Sequence, residues 1–152
     1  MSSDYHLAWN NAIQQQRIAA HLLEVTFPLS KDPKLLLGVI YNLCGALEYA
    51  LDALLLSEGI TAGEGFQSKL TALKIKSSQG SKITLEDIKF MHWLQEIKVK
   101  HKQSPMEFQR GKNLVICSAE YQMQVLSVLE IKKYLKQSEE LLQRLNGVIN
   151  RK

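Results

Sequence analysis

A chain of 152 residues with 45% apolar and 22% charged side chains is long enough for one domain with a sizeable core and too apolar to remain disordered. Its 8 glycines and 3 prolines are too few for a loop-rich or all-β chain, and its 2 cysteines, Cys44 and Cys117, have no zinc-ligand spacing. The net charge of +4 is unevenly spread: residues 1–68 carry 3 basic and 7 acidic side chains, whereas residues 69–112 carry 10 and 4.

The amino terminus, Met-Ser-Ser-Asp, lacks the basic-then-apolar pattern of a secretion signal, so a cytoplasmic protein is expected. A first helix is expected from about Asp4 to Thr26, capped by Ser2 or Ser3. Its main apolar face is Tyr5, Ala8, Trp9, Ala12, Ile13, Ala19, Ala20 and Leu23. A thinner second strip, Leu7, Ile18, Leu22 and Val25, suits a second neighbour or a dimer mate. Between the strips runs a polar row: His6, Asn10, Gln14, Arg17, His21 and Glu24.

Residues 27–31 form a short connection, which makes the first two helices antiparallel neighbours. Asp32-Pro33 then carries a helix-start signal and Gly59 a stop. Between them, Leu35 to Leu56 forms the central helix of the fold. Its polar residues Lys34, Gly38, Tyr41, Asn42, Gly45, Glu48, Tyr49 and Asp52 share one sector, and nearly everything else is apolar. The uncharged run ends at Leu47, short of the ~20 residues of a membrane span, so burial in a bundle is expected and a membrane is not.

Phe66, Leu70 and Leu73 mark a short helix, and residues 77–81 a loop. Thr84 and Asp87 form a capping box for a helix running to about Lys102. Two sides of that helix are expected to be buried, one with Leu85, Ile88, His92 and Val99, the other with Phe90, Trp93, Leu94 and Ile97. After Ser104-Pro105 the period changes to short β-like runs, Met106 to Arg110, Asn113 to Cys117 and Gln122 to Leu126, with a tight turn around Gly111. Ser127 and Glu130 form a second capping box. The last helix carries one stripe, Ile131, Leu135, Leu142, Leu145 and Ile149, flanked by Tyr134, Ser138 and Leu141, with exposed Lys136–Glu140 and Glu140–Arg144 pairs. The expectation is therefore a mainly α single domain over residues 1–152. It is an antiparallel bundle of four to five helices with a small antiparallel β-meander before the last helix.

Two constellations could carry function. Antiparallel pairing puts His21 near the level of Gly38, Arg17 near Asn42, and His6 near Glu48 and Asp52. Arg17, His21, Glu48 and Asp52 are therefore the candidate catalytic residues: a His beside a carboxylate can act as a base, and an Arg can stabilise an oxyanion. The leading expectation for this face is nevertheless a solvated surface with loose ion pairs. The second constellation is basic. Lys98, Lys100 and Lys102 end a helix, Arg110 and Lys112 flank the hairpin tip, and Phe108 lies between them. On one surface they would follow a phosphate backbone and stack on a base. His92 is expected at the edge of the core and His101, among lysines, in solvent. No phosphate loop, nucleophile elbow or metal spacing occurs, so neither a cofactor nor a metal is expected.

Residues 26–36, TFPLSKDPKLL, and 104–117, SPMEFQRGKNLVIC, resemble a family of small, uncharacterised, mostly archaeal helical proteins. A long helical hairpin followed by further helices is also similar to the HEPN superfamily. That likeness implies a helical bundle, often dimeric, and in many members a metal-independent ribonuclease or a toxin–antitoxin component. The superfamily's Arg, four to six residues, then His has its nearest counterpart in Arg17 to His21, with three intervening residues and on the first helix. The leading expectation is a non-enzymatic, self-associating binding module with RNA or protein as partner. The alternative is an HEPN-like ribonuclease using Arg17 and His21.

Overall fold

The computed structural model describes residues 2–76 and 83–150 of the chain; the loop expected at 77–81 lies outside them. The protein is mainly α, with a three-stranded antiparallel sheet before the last helix, as its periodicity implies.

Helix α1 spans Ser2–His21 and does not stop there. It widens into a π-helical turn, Leu22–Thr26, and closes with one more α turn, Phe27–Ser30. Pro28 explains this shape. It has no N–H to donate and its ring crowds the carbonyl four residues back, so the turn before it opens and Phe27 N–H reaches Leu22 O instead. Lys31, left-handed at φ 57°, ends the helix with its N–H on Phe27 O. The connection is thus shorter than the spacing implied, and the helix already includes Ser2.

Helix α2, Leu35–Ser57, is the core element. Asp32 Oδ1 accepts the Lys34 N–H at 3.0 Å, and 3₁₀-type bonds from Leu35, Leu36 and Leu37 wind the first turn. At the other end Gly59 sits at φ 67°, donating to Leu56 O, while Ile60 N–H reaches Leu55 O. That pair of bonds is the Schellman arrangement, which only a residue tolerant of left-handed backbone completes cheaply. Thirteen α2 residues are buried. The helix is long and apolar enough to cross a membrane, and 61% of its most apolar window is covered by the rest of the protein. Leu36, Ile40, Leu43, Leu47, Leu51 and Leu54 are fully enclosed, each contributing roughly 1.5–3 kcal/mol of burial.

The most extensive packing is α1 on α2. The α2 glycines allow it: Gly38 lies under Leu22 and Gly45 under Gln15, where an added Cβ would come within 3.3 Å of either side chain. Helix α3, Phe66–Lys76, buries Leu70, Ala72 and Leu73. Helix α4, Leu85–Gln103, starts on the complete Thr84–Asp87 capping box. Its buried positions are Asp87, Phe90, Met91, Leu94 and Ile97, while Leu85 and Val99 are exposed. Of the first expected side only Leu85 and Val99 are exposed, while Ile88 and His92 are half-buried; of the second, Phe90, Leu94 and Ile97 are buried, and Asp87 and Met91 join them.

Strands β1 (Met106–Arg110), β2 (Asn113–Cys117) and β3 (Met123–Leu126) form a meander in the order β1-β2-β3. Gly111, at φ 62°, occupies the first position of the two-residue β1–β2 turn, as a II′ turn requires. Helix α5, Val128–Ile149, buries the expected stripe. Ser127 Oγ caps it by accepting Glu130 N–H, but Glu130 does not reach back to complete a box; its carboxylate accepts the Tyr134 hydroxyl at 3.2 Å. Arg144 does not pair with Glu140. It forks onto Asp87 of α4, with N–O distances of 2.8 and 2.6 Å. A second tie joins α5 to α1: Gln16 donates to Leu135 O and accepts from the fully buried Ser138 hydroxyl.

Candidate functional site

The side chains that stand over the two α2 glycines are Leu22 and Gln15, and the polar row is exposed. The level expected along the helices is right to within about a residue, but Arg17 and His21 point elsewhere. Arg17 is exposed and lines a groove of about 590 Å³ between α1 and α5, together with Trp9, Gln16, Glu24, Glu139 and Leu142. His21 is exposed, its Nδ1 3.4 Å from Thr26 Oγ1. His6 is exposed and lies against the Tyr5 ring. Glu48 and Asp52 do come together, on a cation that sequence spacing did not pair with them. Lys69 of α3 lies 3.3 Å from Glu48 and 2.9 Å from Asp52. Burial lowers the Lys69 pKa, but its bonds to Asp52 and the charges of both carboxylates more than offset that and hold it above the ordinary lysine value. The four candidate catalytic residues thus fall in three places, Arg17, His21 and the Glu48–Asp52 pair that shares Lys69.

The basic tract is also divided. Lys98 stands over the Tyr41 ring at 5.4 Å, Lys100 over Trp93 at 5.7 Å, and the Arg110 guanidinium over Phe108 at 5.8 Å. Lys100 also borders a cavity of about 500 Å³ beside Ser118, Met123 and Gln124. Lys102 and Lys112 are exposed. His92 is half-buried and packs edge-on against Phe66.

His101 is the residue whose setting the sequence concealed. It is not solvated among the lysines: its side chain is 28% exposed and joins three elements. Tyr41 of α2 lies with its hydroxyl 2.9 Å from His101 Nδ1, and Glu107 of β1 has Oε2 3.3 Å from His101 Nε2. In a neutral ring these partners fix the tautomer: Nε2–H donates to the carboxylate and Nδ1 accepts the Tyr41 O–H. Carboxylate, imidazole and hydroxyl in line is the order that general-base catalysis uses. Burial, then the nearby Cys44 and Glu107, push the Tyr41 hydroxyl above its usual pKa, so it is protonated at rest. Burial likewise pushes the Cys44 thiol up to about 12, which leaves it inert. The trio acts as a clasp that holds β1 to the helices. Gln109 adds a second tie, donating to Asp32 at 3.4 Å.

The opposite side of β1 carries the exposed surface. Register places Glu107 and Gln109 on the same face as Leu114 and Ile116, which belong to the core, and places Met106, Phe108 and Arg110 on the outer face with Val115 and Cys117. All five β1 residues are exposed. Met106 is 52% exposed, Phe108 36% and Met123 of β3 54%. At the β2–β3 turn Tyr121 is 83% exposed and left-handed at φ 64°. A bulky side chain there is strained by about 1–2 kcal/mol. Among the described residues no three His, Cys, Asp or Glu side chains converge as a metal site would need. Comparison with protein-family models, with curated proteins and with solved structures finds no match to this chain.

Proposed function

We propose that this protein is a non-enzymatic binding module that self-associates and takes a protein partner on the outer face of its sheet. One observation carries this reading: a sheet whose edge strand turns Met106 and Phe108 away from the core, beside exposed Met123 and a strained, exposed Tyr121. Exposed aromatic and methionine side chains on a rigid backbone are what protein interfaces use as anchors. The titratable groups support the same reading, because Glu48, Asp52, Asp87 and Glu107 are each held by a cation or imidazole of the same chain. Protein is favoured over RNA because Lys98, Lys100 and Arg110 are drawn over rings on separate elements rather than aligned in one track.

The test uses Met123→Glu, which places a charge on the outer face from β3, where Met123 Sδ lies 3.9 Å from the Arg110 guanidinium. Wild type immobilised in an extract of its own cells retains a partner that survives nuclease treatment, and the variant, with unchanged circular dichroism, does not. Equal retention by both contradicts the reading. Retention that nuclease abolishes turns it toward RNA.

A further inference from the structure

We propose that the open edge of β1 pairs with β1 of a second copy of this chain, two-fold about Phe108, joining two three-stranded sheets into one of six strands. This rests on the binding-module reading and names the surface through which the module self-associates.

The hairpin fixes which main-chain groups are available. Arg110 and Asn113 flank the two-residue turn and form a hydrogen-bonded pair. Bonded and non-bonded pairs then alternate, so the main-chain groups of Phe108 and Met106 turn to β2 and those of Glu107 and Gln109 turn to the other edge, where no described residue gives them a backbone bond. Proteins usually block such an edge with proline, a bulge or an outward charge. Here Pro105 precedes the strand, the β1–β2 register has no break, the Glu107 carboxylate is drawn inward to His101, and the outward Arg110 lies over the Phe108 ring.

The side chains then select a register. Centred on Phe108, an antiparallel pairing sets Glu107 opposite Gln109 of the second copy, Met106 opposite Arg110, and Phe108 opposite itself. No like charges meet, the Glu107–Gln109 pairs exchange about four main-chain hydrogen bonds, and the two rings meet at the closely spaced non-bonded position. Centring on Glu107 opposes two carboxylates, and centring on Arg110 opposes two guanidiniums. Centring on Gln109 places each ring against an arginine and Glu107 against Gly111. The Phe108 register also makes the outer faces continuous, so Met106, Phe108 and Met123 of both copies form one surface.

Disulfide trapping tests the register. Both native cysteines are buried, so the wild type serves as the background. In Phe108→Cys the two introduced thiols face each other at Cβ separations of about 4.5–5.5 Å, close enough to bridge with little adjustment. With oxidised glutathione this variant is expected to form a reducible dimer. Glu107→Cys and Gln109→Cys are expected to cross-link when mixed and not singly. Wild type is expected to rise from 17.3 kDa toward twice that mass by light scattering as concentration increases. If Phe108→Cys fails to fold, the mixture carries the same test. A wild type that stays at 17.3 kDa, or Glu107→Cys alone bridging as readily as Phe108→Cys, overturns the proposal. Loss of a partner in Met123→Glu together with a monomeric wild type would leave the protein-partner half of the binding-module reading standing and remove its self-association.

Discussion

Along β2 the chain is buried on both sides: Leu114 and Ile116 enter the core, and Val115 and Cys117 lie covered on the outer face. Along β1, its neighbour, the usual arrangement is reversed. The polar Glu107 and Gln109 turn toward the helices and are bonded there, while the apolar Met106 and Phe108 turn away. A half-buried antiparallel strand ordinarily places apolar side chains inward and polar ones outward. The reversal means that β1 is held to the body by hydrogen bonds and ion pairs, and that its hydrophobic surface is left for something else to cover.

If that division is correct, polar groups facing the body govern stability and apolar groups facing outward govern association. The largest effect on stability is expected at Asp87, which serves both the α4 capping box and the Arg144 fork. Asp87→Ala is expected to cost about 2–3 kcal/mol in urea unfolding, with the fork discounted because Arg144 is half exposed. Burial pushes the Asp87 carboxyl up, but Arg144 and the Thr84 backbone and hydroxyl more than offset it and hold it below the usual carboxylate value. Its stabilisation is therefore fully present above the ordinary carboxylate pKa of about 3.9 and is lost as pH falls through the lower folded value. Asp87→Asn lacks that acid-sensitive component, which denaturation at stepped pH would reveal.

Breaking the clasp is a smaller change. His101→Ala removes the partner of both Tyr41 and Glu107, groups that water partly reaches, and is expected to cost about 1 kcal/mol. Hydrogen exchange should quicken in β1 more than in α2. Tyr121→Gly relieves left-handed strain and is expected to raise stability by up to about 1 kcal/mol, the gain being reduced by glycine's greater freedom when unfolded. The same change should weaken partner retention. The smallest effect on folding is expected at Met123, where substitution by Glu should leave stability within about 0.5 kcal/mol while partner retention is lost. A Met123→Glu protein that is strongly destabilised would show the outer face to be packing rather than interface.

The helices, the three strands and their turns were legible in the sequence because apolar period and capping chemistry are local. The side that each helix presents was less so. Arg17 and His21 were placed at nearly the right level beside α2, but Gln15 and Leu22 are the side chains over its glycines, and Gln16 is bonded to α5. Lys69 was hidden as the partner of Glu48 and Asp52 because it arrives from another helix. His101 looked solvated among lysines, since only the return of β1 brings Glu107 to it. The reversal of β1 was out of reach for a different reason: alternation says which residues share a face but not which face is inward. The β2 partners decide that.

The open edge offers the most direct measurement. Amide hydrogen exchange at Glu107 and Gln109, whose N–H groups point away from β2, should slow as protein concentration rises, while exchange at Phe108, already bonded to β2, should change far less. Rates at Glu107 and Gln109 that stay the same from dilute to concentrated protein would contradict an edge that pairs with a second copy.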